Sequence, residues 1–145
     1  DRPMTLIWLY TQFIASYVVL IPLLSYFESH DMLPLAMIII IANGVGDGLA
    51  EPVGIRFGTK KYATYALFTR QKYVRSYVGS ACVFVTTCIA ILAFQHYFTI
   101  TQLVVALLIV PALITLAEAF SPHTWDSPLI YATGGGALIM TFSLF

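Results

Sequence analysis

Five apolar stretches, at 4–27, 33–53, 76–94, 100–120 and 129–145, dominate this chain. Each is long enough to cross a bilayer, which takes about 17 to 25 residues of helix. In hydrocarbon a backbone must satisfy its own hydrogen bonds, so such stretches are confined to helix. Composition agrees: 59% of the 145 residues are hydrophobic, 10% are charged and the mean hydropathy is +0.86, against roughly 25% charge in a soluble domain. The expectation is an all-α, polytopic integral membrane protein of one domain with about five transmembrane helices. The first stretch is too long for the apolar region of a secretory signal and no Ala-x-Ala-like cleavage site follows it, so it is read as a retained span. The chain opens on Asp1 and ends inside an apolar stretch, as a processed or trimmed piece of a longer protein would.

Charge is sparse and unevenly placed. Six of the seven basic residues, Arg56, Lys60, Lys61, Arg70, Lys72 and Arg75, fall in the segment 54–75 between the second and third stretches. The positive-inside rule puts that segment in the cytoplasm or its equivalent. Alternation then places Arg2 and the loop 121–128 on the same side, and 28–32 and 95–99 on the other. Asp47, Glu51, Glu118 and Asp126 therefore share one membrane face with the basic segment. Acids at the edge of a hydrophobic slab are costly and usually functional, and their convergence on one face marks a site. The zero net charge gives no basic surplus, and nucleic acid is not an expected partner.

The stretch 42–58, ANGVGDGLAEPVGIRFG, joins the apolar and basic regions. Asp47 and Glu51 are four apart, on one face of a continuous helix, and paired carboxylates suit a hard cation such as Mg²⁺. Gly44, Gly46 and Gly48 permit close backbone approach or a broken helix, tolerated at membrane depth where a cavity is lined, and Pro52 directly after Glu51 points to a helix break there. A dinucleotide-binding turn fails: its third glycine would fall on Leu49, and no alternating strand and helix pattern follows. The pairs Gly44/Gly48 and Gly54/Gly58 also make two GxxxG faces. These serve packing within the chain or pairing into a homo-oligomer.

The basic segment would hold anionic headgroups at roughly 1 kcal/mol per cation, or cradle nucleotide phosphates beside a metal held by the acids. Ser76, Gly79 and Ser80 open the third helix, and a helix N-terminus with small residues suits an anion. Glu118 ends an apolar helix, where a lone Glu commonly snorkels to water. Asp126 lies between Pro122 and Pro128 in a turn-forming stretch, with His123 in the same loop. His30 and His96 map to the far face without a role. Cys82 and Cys88 are six apart, which is no metal spacing, and read as free core thiols. Trp8, Tyr10, Tyr97, Phe98 and Trp125 read as interfacial anchors.

The order of these motifs resembles the CTP-dependent lipid kinases of the dolichol kinase, phytol kinase and diacylglycerol kinase type, which are related to the membrane phosphatidate cytidylyltransferases. The residues are Gly46-Asp47-Gly48-Leu49-Ala50-Glu51, Gly54-Ile55-Arg56-Phe57-Gly58, Arg75-Ser76-Tyr77-Val78-Gly79-Ser80, and Glu118 and Asp126 near Pro128. The likeness covers about 42–130. Arg75 stands where the family often has Lys, and Ser127 where an Asn commonly follows the late Asp. The resemblance implies transfer of a nucleotide γ-phosphate, typically from CTP with Mg²⁺, to the hydroxyl of a hydrophobic alcohol such as phytol, a polyprenol or diacylglycerol. Catalysis would fall to Asp47, Glu51 and Glu118, with Asp47, Glu51 and Asp126 as metal ligands. Arg56, Lys60, Lys61, Arg75, Ser76, Gly79 and Ser80 would hold the nucleotide phosphates.

Three other readings use the same residues. Cytidylyl transfer to a lipid phosphate would release pyrophosphate. A transporter would carry its acids near the midplane in paired, broken helices, whereas these cluster at one face. A non-catalytic membrane subunit would use its glycine faces alone and bind no nucleotide.

Overall fold

The computed structural model describes residues 5–65, 72–122 and 125–144. Arg2, Arg70 and His123, which sequence reasoning placed on the basic face, lie outside the described residues. Helices dominate. They are α1 (Thr5–Ser29), α2 (Leu33–Ile41), α3 (Gly48–Phe57), α4 (Tyr77–Ala93), α5 (Ile100–Phe120) and α6 (Asp126–Leu144). A π-helical turn, Ala42–Asp47, joins α2 to α3, so the second expected span is one rod over Leu33–Phe57. Among the described residues, four helices are long and apolar enough to cross a membrane, and α4 is a shorter apolar helix. The protein is an all-α polytopic membrane protein.

Two local expectations are corrected. The second span does not break at Glu51, because Pro52 is accommodated within α3. The irregularity lies upstream, where Gly44, Gly46 and Gly48 make the regular ladder weakest and the turn widens to a π-helix. The basic segment is not one loop either. The helix runs on to Phe57, and an antiparallel hairpin follows, β1 (Lys61–Tyr65) with β2 (Lys72–Ser76), in the register Lys61↔Ser76 to Tyr65↔Lys72. Its strands carry Tyr, Thr and Val, residues that fit a pleated, half-buried surface. The fifth span begins at Asp126, three residues before the expected 129, with the acid in the first turn where the helix dipole favours it.

The core is apolar and so is the surface. Phe27, Leu35, Ile38, Ile91, Ile114 and Leu138 are fully buried, while Leu6, Phe13, Ile100, Leu108 and Met140 are exposed. Hydrocarbon gives apolar residues no reason to turn inward, so helix association rests on close packing and small residues. Gly134 shows this: a Cβ there would meet Ile114 Cδ1 at 2.7 Å and Ile39 Cγ2 at 2.9 Å, so α6 approaches both α5 and α2 closely. The buried hydroxyls of Thr87 and Thr141 are satisfied within their own helices, donating to the carbonyls of Val83 and Ala137, each at 2.8 Å. Trp8 is not an interfacial anchor. It is 3% exposed, and its ring meets Tyr73 of β2 edge-on at 6.5 Å, which ties the start of α1 to the hairpin.

The two GxxxG pairs part company. At Gly44 and Gly48 an added Cβ would meet nothing within 4 Å, so neither packs a helix within this chain. Gly54 and Gly58 both press on Ser76, and Gly79 presses on α3, where a Cβ would sit 2.6 Å from the Ala50 carbonyl oxygen. That neighbour is backbone and cannot swing aside. Gly79→Ala is therefore expected to destabilise by about 1 to 3 kcal/mol, whereas Gly44→Ala and Gly48→Ala leave stability level or raise it. Thermal melts in detergent check the contrast, and a Gly79→Ala protein that melts like wild type would contradict the packing.

Candidate functional site

At the hairpin end of the bundle lies a cavity of about 340 Å³ lined by residues from α3, β1, β2, α4, α5, the π turn and the start of α6. Eight of the sequence-predicted residues line it: Asp47, Glu51, Lys61, Arg75, Ser76, Gly79, Glu118 and Asp126. They come from five separate stretches of the chain, 47–51, 61, 75–79, 118 and 126, and folding brings them together.

The cavity is organised around Arg75. Its Nη1 donates to Glu118 Oε1, and its Nη2 donates to Asp126 Oδ1 and, at 3.2 Å, to Ser121 Oγ. One planar guanidinium thus ties β2 to the end of α5 and the start of α6, which its fixed fork of donors makes feasible. Burial works against its charge, yet the charges and hydrogen bonds of Asp126 and Glu118 hold its pKa above the ordinary value. Its Nε is buried with no hydrogen-bond partner.

Glu118 does not snorkel. It is 3% exposed, and its second oxygen, Oε2, accepts from Ser80 Oγ at 2.8 Å. A hydroxyl has one hydrogen, so Tyr62, whose oxygen is 2.7 Å from Ser80 Oγ, donates to it. The chain Tyr62–Ser80–Glu118–Arg75–Asp126 is continuous and fixes the cavity floor. Ser80 is thereby committed to the network. Gly79 is committed too: its N–H donates to Ser76 Oγ at 3.0 Å in the N-cap of α4, and its missing side chain admits α3. Their spacing reads equally as an anion site, and the packing that claims them is invisible in a motif.

Of the expected phosphate-binding cations, Lys61 and Arg75 line the cavity and two others do not. Arg56 is exposed, with its guanidinium 5.5 Å from the Phe57 ring centroid, and Lys60 is exposed just before β1. Four carboxylates and two cations among the lining residues leave a formal charge of −2. Bare polyphosphate would be repelled there. A divalent cation would be drawn in.

Asp47 and Glu51 differ from the other two acids. Neither has a hydrogen-bond or ion-pair partner among the described residues. Asp47 is half-buried and Glu51 exposed, one turn nearer the hairpin end. Counting back along the rod, Asp47 sits about 15 Å of helix rise from Phe57. Among the described residues no group of three His, Cys, Asp or Glu side chains forms a metal cage. Mg²⁺ does not require one: it keeps several waters and takes one or two carboxylates together with substrate phosphates. Asp47 and Glu51 fit that donor set, whereas the Oδ1 of Asp126 is occupied by Arg75 and Ser121.

Sequence reasoning missed Asn43 and Tyr131. Asn43 Nδ2 donates to Tyr131 OH at 2.9 Å, across 88 residues of sequence, and Asn43 Oδ1 is buried without a partner. Position 43, four before Asp47, is the signal that could have found Asn43. Nothing in the sequence points to Tyr131. Compared with protein-family models, curated proteins and solved structures, the chain matches none.

Proposed function

We propose that this protein transfers the γ-phosphoryl group of a nucleoside triphosphate, CTP by the motif resemblance, to the hydroxyl of a lipid alcohol of the polyprenol, phytol or diacylglycerol type. The observation that carries the reading is Asp47: a half-buried, unpartnered carboxylate within a membrane span, on the wall of a cavity that also presents a fixed guanidinium. A lipid stays in the bilayer and a nucleotide stays in water, so their reaction belongs at such a boundary. By the positive-inside rule that boundary is the cytoplasmic one.

Phosphoryl transfer asks for positioning and charge neutralisation more than covalent help. When bound with the nucleotide, Mg²⁺ would offset the phosphate charge, with Glu51 as its protein ligand and Asp47 left free to accept a proton. Lys61 and Arg75 supply the positive lining. The acceptor oxygen bonds to the γ-phosphorus as that phosphorus parts from the β,γ-bridging oxygen. CDP leaves, and the hydroxyl proton passes to Asp47. Glu118, Ser80 and Tyr62 take no proton in this scheme and hold Arg75 in place.

The test is a transfer assay on detergent-purified protein with γ-labelled CTP, Mg²⁺ and a panel of phytol, polyprenol and diacylglycerol. Labelled lipid with CDP as co-product is the expected result. Pyrophosphate release on adding a lipid phosphate would replace the reading with cytidylyl transfer, and CTP left unconsumed in both formats would overturn it.

A further inference from the structure

We infer that the groove between α1 and the start of α6 holds the chain of an uncharged, single-chain lipid alcohol and brings its hydroxyl beside Asp47. This rests on the transfer reading above and names where its acceptor sits. The groove, about 330 Å³, is separate from the charged cavity and has no Asp, Glu, Lys, Arg or His in its lining. Its polar end is formed by Gln12, Ser16, Ser127 and Tyr131, with Gln12 Nε2 donating to Ser127 Oγ at 3.2 Å. Ser127 follows Asp126 of the charged cavity directly.

Along α1 the lining becomes apolar. Phe13 and Tyr17 line both this groove and a second, wholly exposed hollow that continues over Ile14, Val18, Ile21 and Pro22. The groove is polar on its inner side, at Gln12, Ser16, Ser127 and Tyr131, and apolar on its outer side, at Leu9, Phe13 and Leu20, and the hollow that continues it is apolar and open. Those are the proportions of a small head on one long tail.

Two observations select an alcohol over a charged lipid. A phosphate carries two charges or nearly so and needs cations, and this groove has none. The buried Asn43 Oδ1, held beside Tyr131 and lacking a donor, suits an O–H and would repel a phosphate oxygen. Tyr131 also connects the two sites, lining the groove while its OH accepts from Asn43 of the Ala42–Asp47 turn. An alcohol whose oxygen meets Tyr131 at the polar side of the groove thus lies next to the turn that carries Asp47, within range of a bridging water.

The experiment is photolabelling of the full chain in nanodiscs with a phytol analogue carrying a diazirine and an alkyne in its tail, read by peptide mapping. Label is expected on the α1 stretch 9–22 and the start of α6, displaced by unlabelled phytol and not by phosphatidic acid. Ser16→Trp, which fills the polar end, should reduce that label about tenfold in protein that keeps a cooperative melt, and Leu20→Trp serves if Ser16→Trp does not fold. Label spread evenly over the outer faces of α4 and α5, label unchanged by the filled groove, or equal displacement by phosphatidic acid would each overturn the inference. Groove labelling without transfer of γ-label in the assay above would sink the kinase and leave the site. Transfer without groove labelling would do the reverse.

Discussion

Asp47→Asn is expected to lower transfer by about 10²- to 10⁴-fold, the usual contribution of a positioned acid–base group, while leaving the fold intact. The two side chains are nearly the same size, and Asp47 makes no hydrogen bond or ion pair whose loss would be felt among the described residues. It also lies within electrostatic reach of three other carboxylates, Asp126, Glu118 and Glu51. Removing one of four like charges relieves repulsion, so the melting temperature should hold or rise. Activity and stability thereby move apart, and that divergence separates a functional acid from a structural one. The measurement pairs γ-label transfer with a thermal melt on the same preparation. Wild-type turnover by Asp47→Asn would remove the carboxylate from the mechanism, and a large drop in melting temperature would show it to be structural.

What could be read from the sequence was whatever depends on local pattern. Span lengths follow from runs of apolar residues, because a bilayer imposes one length on every crossing helix; α5 over Ile100–Phe120 coincides with its stretch, and its start is marked by a Thr99 and Gln102 capping box. The meeting of Asp47, Glu51, Glu118 and Asp126 was legible too, because helices of fixed length assign each end to a face.

Pairing within that face was not legible. Arg75 meets residues 43 and 51 positions away in sequence, and no spacing rule tells a cation that will hold phosphate from one that will hold two carboxylates. Gly79 and Ser80 illustrate the same limit, since a small residue at a helix start serves an anion or a neighbouring helix equally well. The irregularity at Gly44, Gly46 and Gly48 was legible as a broken helix, but its π-helical form was not, and Pro52 drew a second expected break that α3 does not have. Asn43 and Tyr131 escaped because a lone amide and a lone phenol on apolar helices carry no pattern until the helices are packed.

Glu118→Leu is expected to cost about 3 kcal/mol of stability or more, the range for removing one member of a buried ion pair. The carboxylate is 3% exposed and accepts from both Arg75 and Ser80. Leucine would leave the guanidinium with Asp126 as its remaining acid and the Ser80 hydroxyl without an acceptor. The charge is the larger part of the cost, so the order of variants is informative. Glu118→Gln keeps one carbonyl acceptor, enough for Arg75 or for Ser80 but not both, and should lose less than leucine, about 1.5 to 3 kcal/mol. Combining Glu118→Leu with Arg75→Met removes the orphaned cation and should recover part of the stability, since an apolar pair in place of a buried ion pair is often neutral. Transfer should stay lost in the double variant, because the guanidinium that lines the cavity is gone. Thermal melts across the three variants give the stability order. A Glu118→Leu protein that melts with the wild type, or a double variant less stable than Glu118→Leu alone, would show that Arg75 is not held by this pair and would return it to the solvent-facing phosphate role that the sequence first suggested.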